Sequence, residues 1–286
     1  MRMHSPDSMS ARTTRALSMT AKNPDPASVL PARIPATGVV GFFGYLVVAA
    51  LIIWSLTGTQ LSLTQLVHGL PEMGRLVSEM FPPATDRMAS IGFTLFETFQ
   101  MAIAGTFFGV LISLPLAVLS ARNLSPHWSI YLATRGLITF CRTVPDLIWA
   151  IIFVITVGLG PFAGVLALTV DTIGFCARFF AEAMEEADEG PSEALGALGA
   201  SRTDVVISAV LPATLPSMIA TSLYAFEKST RSSVVLGLVG AGGIGVELMT
   251  ALDLYDYQNV SSILLSIFVM VILVERFSAL LRRRIL

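Results

Sequence analysis

The sequence predicts an all-α integral membrane protein with six transmembrane helices. Three observations carry that prediction. Of its 286 residues, 54% are hydrophobic and only 13% charged, against about 25% charged residues in an ordinary soluble domain. Its mean hydropathy is +0.74. Its apolar residues gather into runs of about twenty, the length a helix needs to cross the hydrocarbon core, and polar stretches rich in Pro, Gly and acids separate the runs.

The elements follow in order. Residues 1–37 are polar and rich in Ser, Thr, Pro and Arg, and lack the apolar core and small-residue cleavage site of a secretory signal. They are expected to form a disordered cytoplasmic tail ahead of a membrane domain over 38–286. The first span, Gly38 to Leu56, is then an uncleaved anchor. Thr57 to Arg87 is a polar loop in which LTQLVHGLPEMGRLVSEM has the pattern of an interfacial helix. Met88 to Leu119 is long enough to span and protrude, and Ser120 to Trp128 is a short turn. Tyr131 to Val157 is the third span, broken near Val144-Pro145, because proline lacks an amide donor and drives the residue before it out of the helical region. Gly158 to Pro161 reverses the chain into Phe162–Phe180. After a long polar connection come Leu215–Leu238, a Gly-rich and acidic link to Tyr257, and Val260–Leu281. No internal repeat is evident.

Six spans place both termini on one side. Arg2, Arg12, Arg15, Lys22 and Arg33 precede the first span, and Arg276, Arg282, Arg283 and Arg284 close the last. The positive-inside rule makes both ends cytoplasmic. The same count puts Arg122 and the connection between spans four and five in the cytoplasm, and the Thr57 and Gly240 loops outside. Arg75 and Arg87 sit outside, in the company of acids.

The connection over 182–214 is the most specific stretch of the chain. Glu182, Glu185, Glu186, Asp188, Glu189 and Glu193 crowd its front half, and ionised groups in such number belong in water, not hydrocarbon. Gly190-Pro191 is expected to stop the incoming helix, Ser192 to cap a short helix from Glu193, and Gly199 to end it. Ser201 and Asp204 have capping-box spacing and open a further helix, which Leu211-Pro212 is expected to end. A plain helical hairpin between two spans is the bland alternative.

That order of residues resembles the cytoplasmic EAA loop of ABC-importer permeases. The family pattern runs Glu-Ala-Ala, a Gly four residues after the last Ala, then an apolar residue, a spacer and Leu-Pro. Glu193, Ala194, Gly199, Leu211 and Pro212 match it; Leu195 replaces the third Ala, and Ala209 stands where Ile is usual. From about residue 90 to 286 the chain resembles the type I, methionine-permease-like importers. Within them, Phe226 to Leu248 and the RRRI ending are most similar to phosphonate permeases. The resemblance implies a prokaryotic inner-membrane subunit that works as a homodimer. It further implies two copies of a separate ATPase that carries ATP-Mg, an extracytoplasmic substrate-binding protein, and a phosphonate or phosphate-like oxyanion as substrate. Phosphite, a metabolite ester and methionine remain open, as does a passive channel or scaffold. Residues Glu193, Ala194, Leu195, Gly196, Leu198, Gly199, Ala200, Leu211 and Pro212 would form the coupling surface that meets the ATPase.

Other chemistry is excluded by pattern. Neither Lys22 nor Lys228 follows a glycine, so no P-loop exists to cradle a nucleotide. His4, His68 and His127 are scattered, which argues against a metal site, and no cofactor is expected in this chain. Cys141 and Cys176 lie in apolar segments and are expected to pack as small hydrophobes. A net charge of −2 gives no case for nucleic acid. Gly240-Ala-Gly-Gly-Ile-Gly245 fits G-x-G-x-x-G, but no alternation of strands and helices surrounds it. Gly240, Gly242, Gly243 and Gly245 are read instead as close backbone packing near the outer mouth.

Charges inside the spans are the last signal. Arg142 and Asp146 lie four apart in the third span, and Glu227 and Arg231 repeat the spacing in the fifth, so each pair is expected to share a helix face. Such charges line a wet path or lock helices together, and both roles stay open here. On the path reading Arg231 is the foremost anion contact and Arg142 the second, with Glu227 tempering them. Arg142 also falls in an Arg-x-x-Pro stretch that resembles one recurring at the family's third-span bend, which favours a structural share for it.

Overall fold

The computed structural model describes residues 39–59 and 63–285; the expected N-terminal tail lies outside them. Most of the described residues are helical, and none of them forms a strand. The chain divides into two units, 1–68 and 69–286. In the first, α1 (Val39–Gly58) is apolar on every side and exposed from Phe42 to Gly58. Next in the chain is α2 (Leu63–Glu79), amphipathic, with Leu66, Leu70, Met73 and Val77 on one face and His68, Glu72, Arg75 and Glu79 on the other.

The second unit is a bundle built around α3 (Met88–Ser120) and α6 (Pro161–Glu185). Small residues let these helices approach. A side chain at Gly109 would begin 2.4 Å from Thr172 Cβ, and Ala102, Gly105, Ser113 and Ala117 continue the same buried seam. In hydrocarbon, where apolar burial drives little, such close contact is what holds helices together. Phe180, Met101, Leu168 and Met184 are among the largest side chains fully buried in the interior. Cys141 and Cys176 are buried and unbridged, as the sequence predicts.

Between α3 and α6 run α4 (Trp128–Thr143) and α5 (Asp146–Val157). They meet at a bend of 90°. Val144 and Pro145 take extended ψ angles of 121° and 143°, the conformation proline imposes on itself and its predecessor. The expected break is therefore present, and it corrects one inference. Arg142 lies in the last turn of α4 and Asp146 begins α5, so they do not share a helix face. The i, i+4 relation holds only where the helix is continuous.

After the polar connection, α9 (Leu211–Gly237) packs on both α3 and α6; α10 (Ile244–Asp253) and α11 (Tyr257–Ile285) complete the unit. Among the described residues, five helices are long and apolar enough to cross a membrane, and the α4–α5 pair makes six if counted as one broken span.

Candidate functional site

The connection over 182–214 folds as a short helix on two anchored arms. Glu185, the last residue of α6, accepts a hydrogen bond from the Arg122 amide (2.7 Å) and pairs with Arg135 (3.6 Å). Asn123 Nδ2 donates to the Met184 carbonyl (3.1 Å). The α3–α4 turn thus grips the foot of the loop. The short helix α7 spans Glu189–Ala197, and its cap is Asp188, whose carboxylate accepts from the Gly190 amide (3.1 Å). This corrects the expected start. Gly190 and Pro191 lie in the first turn of α7 and do not stop α6, and Ser192 is inside the helix. Proline is well tolerated there, because first-turn amides have no partner within the helix.

The end of α7 matches expectation. Ala200 N bonds Leu195 O (3.1 Å), Gly199 N bonds Gly196 O (3.0 Å), and Gly199 has φ +82°. This is the Schellman arrangement, in which a left-handed residue lets the last carbonyls be satisfied. Ser201 and Asp204 form the reciprocal capping box of α8 (Arg202–Val205). That helix does not end at Leu211-Pro212. It passes through one π turn, Val206–Val210, into α9. Pro212 cannot donate an amide, and the widened turn, closed by Leu211 N on Val206 O, admits it without a break. Leu211 is partly buried beside the core, while Pro212 is exposed.

On α7, Glu193, Ala194 and Gly196 are exposed, Leu195 and Ala200 are partly buried, and Leu198 is 85% exposed. A cavity of about 400 Å³ lies beside the helix, lined by Asn123, Leu124, Met184, Asp188, Glu193 and Arg202. A short capped helix with a bare leucine at its tip is suited to enter a groove on another protein.

Glu227 and Lys228 pair across helices and not along α9. Glu227, 7% exposed, bonds Arg282 of α11 at 2.6 Å. It makes no ion pair with Arg231, which corrects the expected i, i+4 pair and leaves Glu227 unavailable to temper that arginine. The buried face of α9 turns Glu227 inward, whereas Arg231 is exposed. Lys228 bonds both oxygens of Asp171 on α6, each at 2.7 Å, and lies 5.6 Å from the Phe175 ring centre. The sequence signal for this pair was the absence of any acid three or four residues from Lys228, so its partner had to come from another helix. Arg142 is exposed, and its backbone packs on Gly174, where an added Cβ would meet Arg142 N at 2.8 Å. Among the described residues neither Arg142 nor Arg231 has an ion-pair partner.

One face of α9 collects these groups. Ser217, Thr221, Tyr224, Lys228 and Arg231 recur at spacings of four and three, and all are at least partly exposed.

The glycine-rich link lies at the other end of α3 from the coupling loop. Ile244 N bonds Thr98 Oγ1 (2.7 Å), and Gly160 N bonds Gly240 O (3.0 Å). Gly240, Gly242 and Gly243 have φ of +86°, +86° and +73°. A Cβ would meet Pro161 N at 2.6 Å from Gly242 and Val234 O at 2.2 Å from Gly245. The close backbone packing expected of this run is present. Beside it a cavity of about 560 Å³ is lined by Arg87, Glu97 and Glu247 among others, with Arg87 and Glu247 paired at 3.1 Å.

This constellation is a set of apolar helices long enough to cross a membrane, with a short capped helix between α6 and α9. The chain belongs to the binding-protein-dependent transport system inner membrane component family, whose model matches residues 113–286. It is 44% identical over 223 residues to the phosphite transport system permease protein PtxC of Stutzerimonas stutzeri, covering 78% of this chain and 81% of that one. It is 40% identical over 223 residues to the phosphate-import permease protein PhnE of Mycolicibacterium smegmatis, covering 78% of this chain but 42% of that one. Among solved structures, a chain of the MetNI methionine ABC transporter in an inward-facing conformation matches with a TM-score of 0.63 and 26% identity, over 71% of this chain and all of that one. The chain is therefore an ABC-importer permease with the type I fold, a multi-pass component of the inner membrane.

Proposed function

We propose that this chain is the permease of an ATP-driven importer for a small phosphorus oxyanion, of the phosphite, phosphate or phosphonate class. Two copies form the translocation unit. Two copies of a separate ATPase grip α7 from the cytoplasm, where both termini also lie, and an extracytoplasmic binding protein delivers the anion near the glycine-rich end. The observation that carries the reading is α7 itself: a capped, nine-residue helix projected from the bundle with Leu198 uncovered. The substrate class rests on the 44% likeness to a phosphite permease, well above the 26% likeness to the methionine transporter chain. Closure of the ATPase pair draws the two α7 helices together, the spans rock, and the path opens outward to receive substrate. Its return opens the path inward. Arg231 and Arg142 supply weak attraction along that path, and selectivity rests on the binding protein.

Proteoliposomes holding the chain, its ATPase and its binding protein test this. Phosphite, phosphate or a simple phosphonate is expected to enter only with ATP and the binding protein present, from a complex of two permeases and two ATPases by native mass spectrometry. Anion flux through the chain alone would sink the reading and make it a passive channel.

A further inference from the structure

The charge on the exposed face of α9 is arranged in a way the coupling reading does not use. A lysine in the middle of a membrane-spanning helix is costly and is retained where it meets a partner or a wet path. Lys228 has both. Asp171 neutralises it at 2.7 Å from the α6 side, yet the lysine side chain remains 35% exposed while the aspartate is 13% exposed. The lysine side chain stays partly open on the face of α9 that carries Ser217, Thr221, Tyr224 and Arg231, with the Phe175 ring 5.6 Å from its Nζ. An ammonium has three donors, and Asp171 uses one or two of them. The nearby guanidinium of Arg231, one turn along the same helix, has no acid of its own.

We propose that Lys228 is a contact for the transported oxyanion, and that Asp171 is a built-in competitor that keeps its grip weak. An anion oxygen arriving on the open side takes the free donor of Lys228, with Arg231 beside it. Asp171 stays on the other side and offsets the charge, so the anion is held briefly and released. Conduction needs this balance, since a site that binds too well does not let go. This inference rests on the oxyanion reading and adds the residue pair that sets dwell time in the path.

The test uses the complete complex of permease, ATPase and binding protein in nanodiscs and proteoliposomes, with inorganic phosphite and inorganic phosphate as probes. Lys228→Gln is expected to cut uptake about tenfold or more, the scale of one charge-assisted hydrogen bond, and Lys228→Arg to recover most of it. Asp171→Asn is expected to raise retention of one of the two anions by the permease–ATPase complex about tenfold in equilibrium dialysis without the binding protein. Adding Lys228→Gln to that variant should abolish the gain. Two results overturn the proposal: uptake restored in the Lys228→Gln/Asp171→Asn double variant, or no gain in retention from Asp171→Asn. If Asp171→Asn does not assemble, equal uptake by the Gln and Arg variants overturns it. Failure of the unmodified complex to import either anion or a phosphonate would reject the oxyanion reading itself, whereas normal uptake by Lys228→Gln rejects only the role of Lys228.

Discussion

Gly199 is needed for its backbone and not for its lack of bulk. Its φ is +82°, and nothing lies within 4 Å of the place a Cβ would occupy. The cost of a side chain there is therefore the left-handed conformation alone, about 1–2 kcal/mol for an ordinary L residue and less for Asn, which visits that region more readily. ATP-driven uptake should fall in the order Gly, Asn, Ala, Val at this position, with Val the most damaged. If Val matched Asn, strain at this residue would not govern coupling. The residue scale is also where the sequence read most clearly. Gly199 and the Ser201–Asp204 box announce themselves because local backbone bonding determines them. Asp188 did not, because Gly190-Pro191 reads as a stop until one sees that those residues occupy a first turn, where proline costs nothing.

At the scale of elements, α9 and α11 are tied by Glu227 and Arg282. Removing one partner leaves a charge in the interior without its counterpart, which costs on the order of 3 kcal/mol, somewhat less here because Arg282 is 28% exposed. Arg282→Met should lower the thermal midpoint of the purified complex, and Glu227→Met added to it should restore most of the loss, since an apolar pair carries no desolvation penalty. A drop that deepens in the double variant would show that the packing, not the charge pair, is what matters. This tie was hidden in the sequence because Arg231 offers Glu227 a nearer partner by spacing; burial of one face decided against it. The same limit explains Leu211-Pro212. Proline usually ends a helix, and only the π turn before it lets α8 run on into α9. The break at Pro145, by contrast, was legible, because two successive residues there are confined to extended backbone.

For the whole molecule, the decisive question is which side of the membrane α7 occupies. The spans were legible from composition, since lipid demands long apolar runs and little else. Orientation rests on arginine bias and on the even number of crossings, and the number is even only if α4 and α5 together cross once. A re-entrant α4–α5 pair would give five crossings and put the two termini on opposite faces. Leu198 is the natural reporter, being 85% exposed at the tip of α7. Cys141 and Cys176 are both buried, and burial slows a thiol's reaction with aqueous reagents, so they contribute little background. Leu198→Cys in intact cells should resist a membrane-impermeant maleimide, and the same variant in inside-out vesicles should label fully. Bound ATPase should then protect it, because a side chain seated in a protein groove is closed to the reagent. Labelling in intact cells would place α7 outside, beyond reach of any ATPase, and the coupling role would fall with it.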